Sequence, residues 1–111
     1  MALNEVEFRK KIQETFDRIE RALVDEDPDQ VECENSHGSL TLRVSDGSRC
    51  ILSAQPSVRQ LWLALAARGT AHHFGYEPLS GTWTDDKGQG LEVLTLIEKY
   101  IVESTGRKIR F

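Results

Sequence analysis

The period of the apolar residues changes twice along this chain, and that change constrains the fold more than any single motif. Early in the chain, apolar side chains recur at Phe8, Ile12, Phe16, Ile19 and Leu23, in steps of three and four. That spacing puts them in one stripe on a helix. Asn4 followed by Glu7 supplies an N-cap and its capping-box partner. Pro28 stops any continuation, so a helix is expected from about Glu5 to Val24. Beyond Val31 the period drops to two, the signature of strands with one buried face. From about Leu91 to Thr105 the helical spacing returns, with Val93, Leu94, Ile97, Tyr100 and Ile101 as the stripe. Gly106 stands where a C-cap glycine belongs.

The middle region divides into short strands. Val31 to Asn35 places Val31 and Cys33 on one face and Glu32 and Glu34 on the other. After a turn at Ser36-His37-Gly38, Ser39 to Val44 points Leu40, Leu42 and Val44 one way. Asp46-Gly47 marks a hairpin, and its loop length follows from the pattern. A two-residue loop would pair Leu42 with Ile51 and send Cys50 and Leu52 to the polar face. A three-residue loop, Ser45-Asp46-Gly47 with Gly47 as the bulge residue, pairs Leu42 with Cys50 and Leu40 with Leu52. Only the second gives one coherent apolar face. Gln55-Pro56-Ser57 then breaks the chain. Gln60 to Ala67 reads as a strand on the alternation of Leu61, Leu63 and Leu65, which turns Trp62 to the opposite face. Thr70 to Tyr76 is a further strand with Phe74 inward and His73 outward, and Thr82-Trp83-Thr84 is another, followed by a turn at Asp85 to Gly88. Arg107 to Phe111 is an extended tail whose Ile109 and Phe111 cover the end of the core.

Helix, about six hairpin-linked strands, helix: this order predicts an α+β fold. It is a two-layer sandwich, with the N- and C-terminal helices packed on one face of an antiparallel sheet. The other face stays open to solvent. At 111 residues the chain is expected to be a single domain, 1–111. No apolar run approaches a membrane span, and Met1 to Asn4 leads straight into the first helix, so no targeting segment is expected. The sequence pI of about 5.3 argues against nucleic-acid binding, which needs a basic face. Two cysteines outside any CxxC pattern, Cys33 and Cys50, fit small core residues in a reducing, cytoplasmic compartment. A disulfide between them is the alternative.

Charge is concentrated in one place. Glu20 to Glu34 holds seven acids, Glu20, Asp25, Glu26, Asp27, Asp29, Glu32 and Glu34, against one base, Arg21. The bland reading is a solvated loop. The sharper one is a cation-binding ridge or a docking face for a basic partner, to which attraction would weaken with salt. Carboxylate oxygens are hard ligands suited to Fe2+ and Fe3+, and equally to Ca2+, Mg2+ or Mn2+. With no histidine or cysteine among the outward positions, binding is expected to be weak and exchangeable. Trp62 is the second candidate: an aromatic on an open sheet face is a natural partner contact, with Gln60 on its own parity and Ser53 and His73 on the same face. Adjacent strand residues point oppositely, so His72 and His73 do not ligate jointly. No catalytic constellation is present: no nucleophile stands with a base, and the acids lie on a convex edge rather than in a cleft. The chain is not expected to be an enzyme.

Together these residues resemble the frataxin family, in its bacterial, CyaY-type branch. An acid-rich helix end runs into an edge strand, Val31-Glu32-Cys33-Glu34. A hairpin follows, Gly38-Ser39-Leu40-Thr41-Leu42 and then Asp46-Gly47-Ser48. Gln60-Leu61-Trp62-Leu63-Ala64 is similar to the family's tryptophan strand, and Gly69 to Phe74, with the later Trp83, match the strands after it. The resemblance covers nearly the whole chain and implies an iron-binding protein of iron–sulfur cluster assembly. Such a protein docks on the cysteine desulfurase and regulates cluster biogenesis or supplies iron as a chaperone. An iron-storing, ferroxidase-like oligomer is one alternative to a monomeric regulator, and a generic acidic interaction module with no metal role is another. The chain departs from the family at Ser53, where an asparagine is usual, and in the turn Gln55-Pro56, which lacks an intervening residue. Arg9 and Arg59 stand where bacterial members often carry histidine, and Arg21 and Val24 interrupt acids common near the end of the first helix.

Overall fold

The computed structural model describes residues 3–111; the expected lack of a targeting segment falls partly on residues 1 and 2, outside the described residues. Helix α1 spans Glu5–Leu23, and its start is closed by a reciprocal capping box. The Asn4 Oδ1 accepts from the Glu7 backbone N–H at 2.8 Å, and the Asn4 N–H donates to Glu7 Oε1 at 3.1 Å. The predicted stripe, Phe8, Ile12, Phe16, Ile19 and Leu23, is the buried face of the helix. Six strands follow: β1 Val31–Ser36, β2 Ser39–Val44, β3 Arg49–Gln55, β4 Gln60–Leu65, β5 Thr70–Glu77 and β6 Thr82–Asp85. They form one antiparallel sheet in the order β1-β2-β3-β4-β5-β6. Helix α2, Val93–Thr105, starts two residues later than the periodicity suggested. The cause is Glu92, which acts as N-cap by accepting from the Leu94 and Thr95 N–H groups.

Both helices lie on one face of the sheet, and the core is one cluster between the layers. The β2–β3 register is the one the apolar pattern demands: Leu40 faces Leu52 and Leu42 faces Cys50. Gly47 takes φ +86°, the left-handed conformation the bulge position requires. Strand β4 ends at Leu65, two residues early, because Ala66–Arg68 turns as a short 3-10 helix closed by Gly69 at φ +61°. The tail lies beside the helices. Ile109 is buried, the Phe111 N–H donates to Glu98, and Arg18 donates to the Phe111 carbonyl oxygen.

One expectation needs correcting. Cys50 is fully buried, but Cys33 on the edge strand is only half-buried and packs at the margin of the core. Both thiols are free. Leu42 separates them in the register, pairing with Cys33 on one side and Cys50 on the other. They are therefore two strand spacings apart, roughly 9–10 Å, beyond disulfide reach. Among the described residues, no helix is long and apolar enough to cross a membrane.

Candidate functional surfaces

The seven acids of the 20–34 stretch do not converge. Helix α1 ends at Leu23, and Pro28 and Asp29 carry the chain through a tight turn. In it the Gln30 and Val31 N–H groups donate to the Asp27 carbonyl, and the Asp29 N–H to the Asp27 carboxylate. Asp25, Asp27 and Asp29 are exposed there. Glu26 is held by Arg107 of the tail, with Nη2 at 2.7 Å. Glu20, on the helix, accepts from Asn35 Nδ2 at 2.8 Å, on the helix-facing side of the edge strand β1. Glu32 and Glu34 point to the other side, where Arg43 of β2 pairs with both at 3.2 Å. All three of those side chains are about half exposed, so the pairs are screened and worth little to stability. Sequence reasoning missed Arg43. Its signal was the β1–β2 register, which sets Arg43 directly opposite Glu32.

Glu20, Glu26 and Glu32 do meet around one shallow hollow at the β1 edge, lined also by Leu23, Val24, Pro28, Val31 and Cys33. The neighbouring Glu20 and Glu32, together with burial as the larger cause, push the Cys33 thiol up from its ordinary range. It is therefore a poor nucleophile at neutral pH. Among the described residues, no three His, Cys, Asp or Glu side chains are grouped so as to hold a metal ion. The donor set is one of dispersed carboxylate oxygens, suited to exchangeable hard cations rather than to a closed coordination shell.

The uncovered face of the sheet carries the second candidate set. Strand β4 alternates: Leu61, Leu63 and Leu65 are buried under the helices, while Gln60, Trp62 and Ala64 are half-buried on the far side. The register places Ser53 of β3 and His73 of β5 on either side of Trp62. The Trp62 indole stacks on the His73 imidazole with ring centroids 4.2 Å apart and planes 13° from parallel. Its Nε1–H donates to Gln60 Oε1 at 2.9 Å. The structure thus brings Gln60, Ser53, Trp62 and His73 together, as the alternation implied, and adds Asp86 from the turn after β6. Its carboxylate lies 3.7 Å from His73 Nδ1 and 3.4 Å from Gln60 Nε2. His72 falls on the opposite face from His73, near Phe74.

Two of the departures make local contacts. Arg9 pairs with Glu5 one turn earlier. Arg59 closes the short Pro56–Val58 turn in the left-handed region at φ +53° and donates to the Pro56 carbonyl.

Comparison with known proteins matches this whole architecture. The model of the frataxin-like domain matches residues 1–107. The iron-sulfur cluster assembly protein CyaY of Azotobacter vinelandii is 37% identical over 111 residues, covering 100% of this chain and 97% of the relative. The protein of the same name from Pseudomonas aeruginosa is 36% identical over 110 residues, covering 98% and 97%. Among solved structures, a frataxin of the CyaY family from Psychromonas ingrahamii superposes with a TM-score of 0.84 at 26% identity, over 96% of each chain. A trimeric yeast frataxin complexed with ferrous iron has a TM-score of 0.70 at 22% identity, over 96% of this chain and 90% of that one.

Proposed function

The chain belongs to the frataxin-like domain family, and from that premise we propose that it is an iron-binding protein of iron–sulfur cluster assembly. In this reading a single domain, residues 1–111, works in the bacterial cytoplasm. It docks on the cysteine desulfurase and regulates its sulfur transfer. The names of the bacterial relatives support the assembly role. One observation carries the rest: an uncovered, polar sheet face bearing Trp62 is continuous with the edge strand whose outward Glu32 and Glu34 lie on that same side. Iron, as cargo, would be held weakly by the carboxylates of Glu20, Asp25, Glu26, Asp27, Asp29, Glu32 and Glu34. A basic partner surface would be steered onto the same acids, so iron and partner compete for them or bridge through them. Trp62, with Gln60, Ser53 and His73, would supply the contact with a defined geometry.

The role is one of binding rather than catalysis. Both thiols are shifted away from reactivity, Cys50 by burial to about 12 and Cys33 upward by burial and its acidic neighbours.

The test is a pull-down with the cysteine desulfurase. Trp62→Ala, and a variant with Glu32 and Glu34 reversed to lysine, should each weaken capture. Full capture by both would overturn the surface assignment. An NMR titration with Fe2+ should move amides between Glu20 and Glu34, in fast exchange and without a change of oligomeric state. Iron-dependent assembly in a sedimentation run would favour storage instead. No response to iron at all would favour an acidic module without a metal role.

A further inference from the structure

We propose that Asp86 is a positioning residue for Trp62, the hub of a polar circuit that fixes how the indole is presented on the open face. This rests on the reading of Trp62 as a partner contact.

The circuit joins four side chains from three elements. Trp62 Nε1 donates to Gln60 Oε1 at 2.9 Å, and Gln60 Nε2 reaches Asp86 Oδ2 at 3.4 Å. The same Oδ2 lies 3.7 Å from His73 Nδ1, and His73 stacks on Trp62 at 4.2 Å, closing the ring. Gln60 and Trp62 belong to β4 and His73 to β5, so their backbones are fixed by the sheet. Asp86 is beyond the end of β6 and would be a free turn residue but for two devices. Its own N–H donates to the His73 carbonyl at 2.9 Å. Its neighbour Asp85 turns the other way and staples the loop, accepting from the Gln89 and Leu91 N–H groups. Those loop amides, Gln89 first, hold the Asp85 carboxyl below its ordinary range. One aspartate builds the turn, and the adjacent one is thereby aimed at the circuit.

The consequence concerns order. A tryptophan on an open face has two torsions to fix before a partner can use it, and freezing such freedom weakens binding. Here one ring face is stacked on His73 and the indole N–H is satisfied within the protein, leaving the other ring face, toward Ser53, for a partner. Asp86 acts on Trp62 only through Gln60 and His73.

NMR of the 15N-labelled protein tests this, because its two indole N–H signals report separately. Trp83, buried and donating to Thr15 Oγ1 at 2.9 Å, is the internal reference. Asp86→Ala should move the Trp62 indole signal and speed its hydrogen exchange while leaving Trp83 in place. Asp86→Asn keeps an acceptor for Gln60 and should restore most of the Trp62 position. In calorimetry against the cysteine desulfurase, Asp86→Ala should weaken binding by about three- to tenfold, the ordering cost of one side chain, with Asp86→Asn again restoring most of it. A Trp62 signal unmoved by Asp86→Ala overturns the inference. So does a loss of affinity that Asp86→Asn does not rescue, since that marks Asp86 as a direct contact. If Trp62→Ala weakens binding and Asp86→Ala leaves it unchanged, positioning fails while Trp62 stands as a contact. If neither variant weakens binding, both readings fail together.

Discussion

Strand β4 shows two surfaces on one piece of backbone. Leu61, Leu63 and Leu65 are at most 1% exposed beneath the helices, whereas Gln60, Trp62 and Ala64 lie half-open on the other side. The first set is held by close packing, where loss of a few methylenes leaves a cavity. The second is held by half-exposed hydrogen bonds, a stacked ring pair and a loose ion contact, each individually weak. The lesson is a division by side-chain parity: close packing lies on the helix face, and half-exposed polar and aromatic groups lie on the open face, where the proposed partner contact would be. Residues on the open face can therefore change without unfolding the chain.

The largest expected effect breaks the covered face. Leu63→Ala should cost about 2–5 kcal/mol in urea unfolding. Trp62→Ala, one residue away, should cost no more than about 1 kcal/mol while weakening capture by the desulfurase. Equal losses of stability would dissolve the distinction between the faces.

A second test compares centre and edge within the covered face. Burial pushes the Cys50 thiol up to about 12, so the unfolded chain ionises first as the pH rises. Stability contributed by this group is intact below the ordinary thiol range and falls above it, by about 1.4 kcal/mol per pH unit. Cys50→Ala should remove that slope from alkaline unfolding curves. Alkylation of the native protein at neutral pH should label the half-exposed Cys33 before Cys50, and the reverse order would contradict the packing.

Smaller effects sharpen the picture at the margins. Asn4→Ala removes the capping box of α1 and should cost about 1 kcal/mol, read as a lowered urea midpoint. Arg59→Gly relieves a left-handed backbone at the entry to β4 and should raise stability by up to about 1 kcal/mol, partly offset by the freedom glycine adds to the unfolded chain. A fall in stability would show that the Arg59 bond to the Pro56 carbonyl outweighs the strain.

Much of this was legible in the chain. The helical stripe of α1, the three-residue hairpin loop and the opposite facing of Trp62 and the leucines followed from period alone, because burial on one face imposes the period. The acidic stretch was legible as charge but not as geometry. Its run of acids suggested one ridge, yet the turn at Pro28 and the pleat of β1 send Glu20 to the helix side and Glu32 and Glu34 to the open side. Arg43, Arg107 and Asn35 then engage Glu32, Glu34, Glu26 and Glu20 from elsewhere in the chain. Asp86 was read only as part of a turn, since nothing local to Asp85-Asp86 says which of the two will staple the loop.

The sequence by itself determined the two layers, the β2–β3 register and the parity of β1 to β5, because these depend on spacings within a few residues. Only the tertiary structure decided which polar groups meet. Side chains from β4, β5 and the turn beyond β6 come within hydrogen-bonding or ion-contact distance only once six strands are in register. Long-range contacts of that kind leave no periodic trace, since a polar residue facing water fits its local pattern whether or not a partner waits across the sheet.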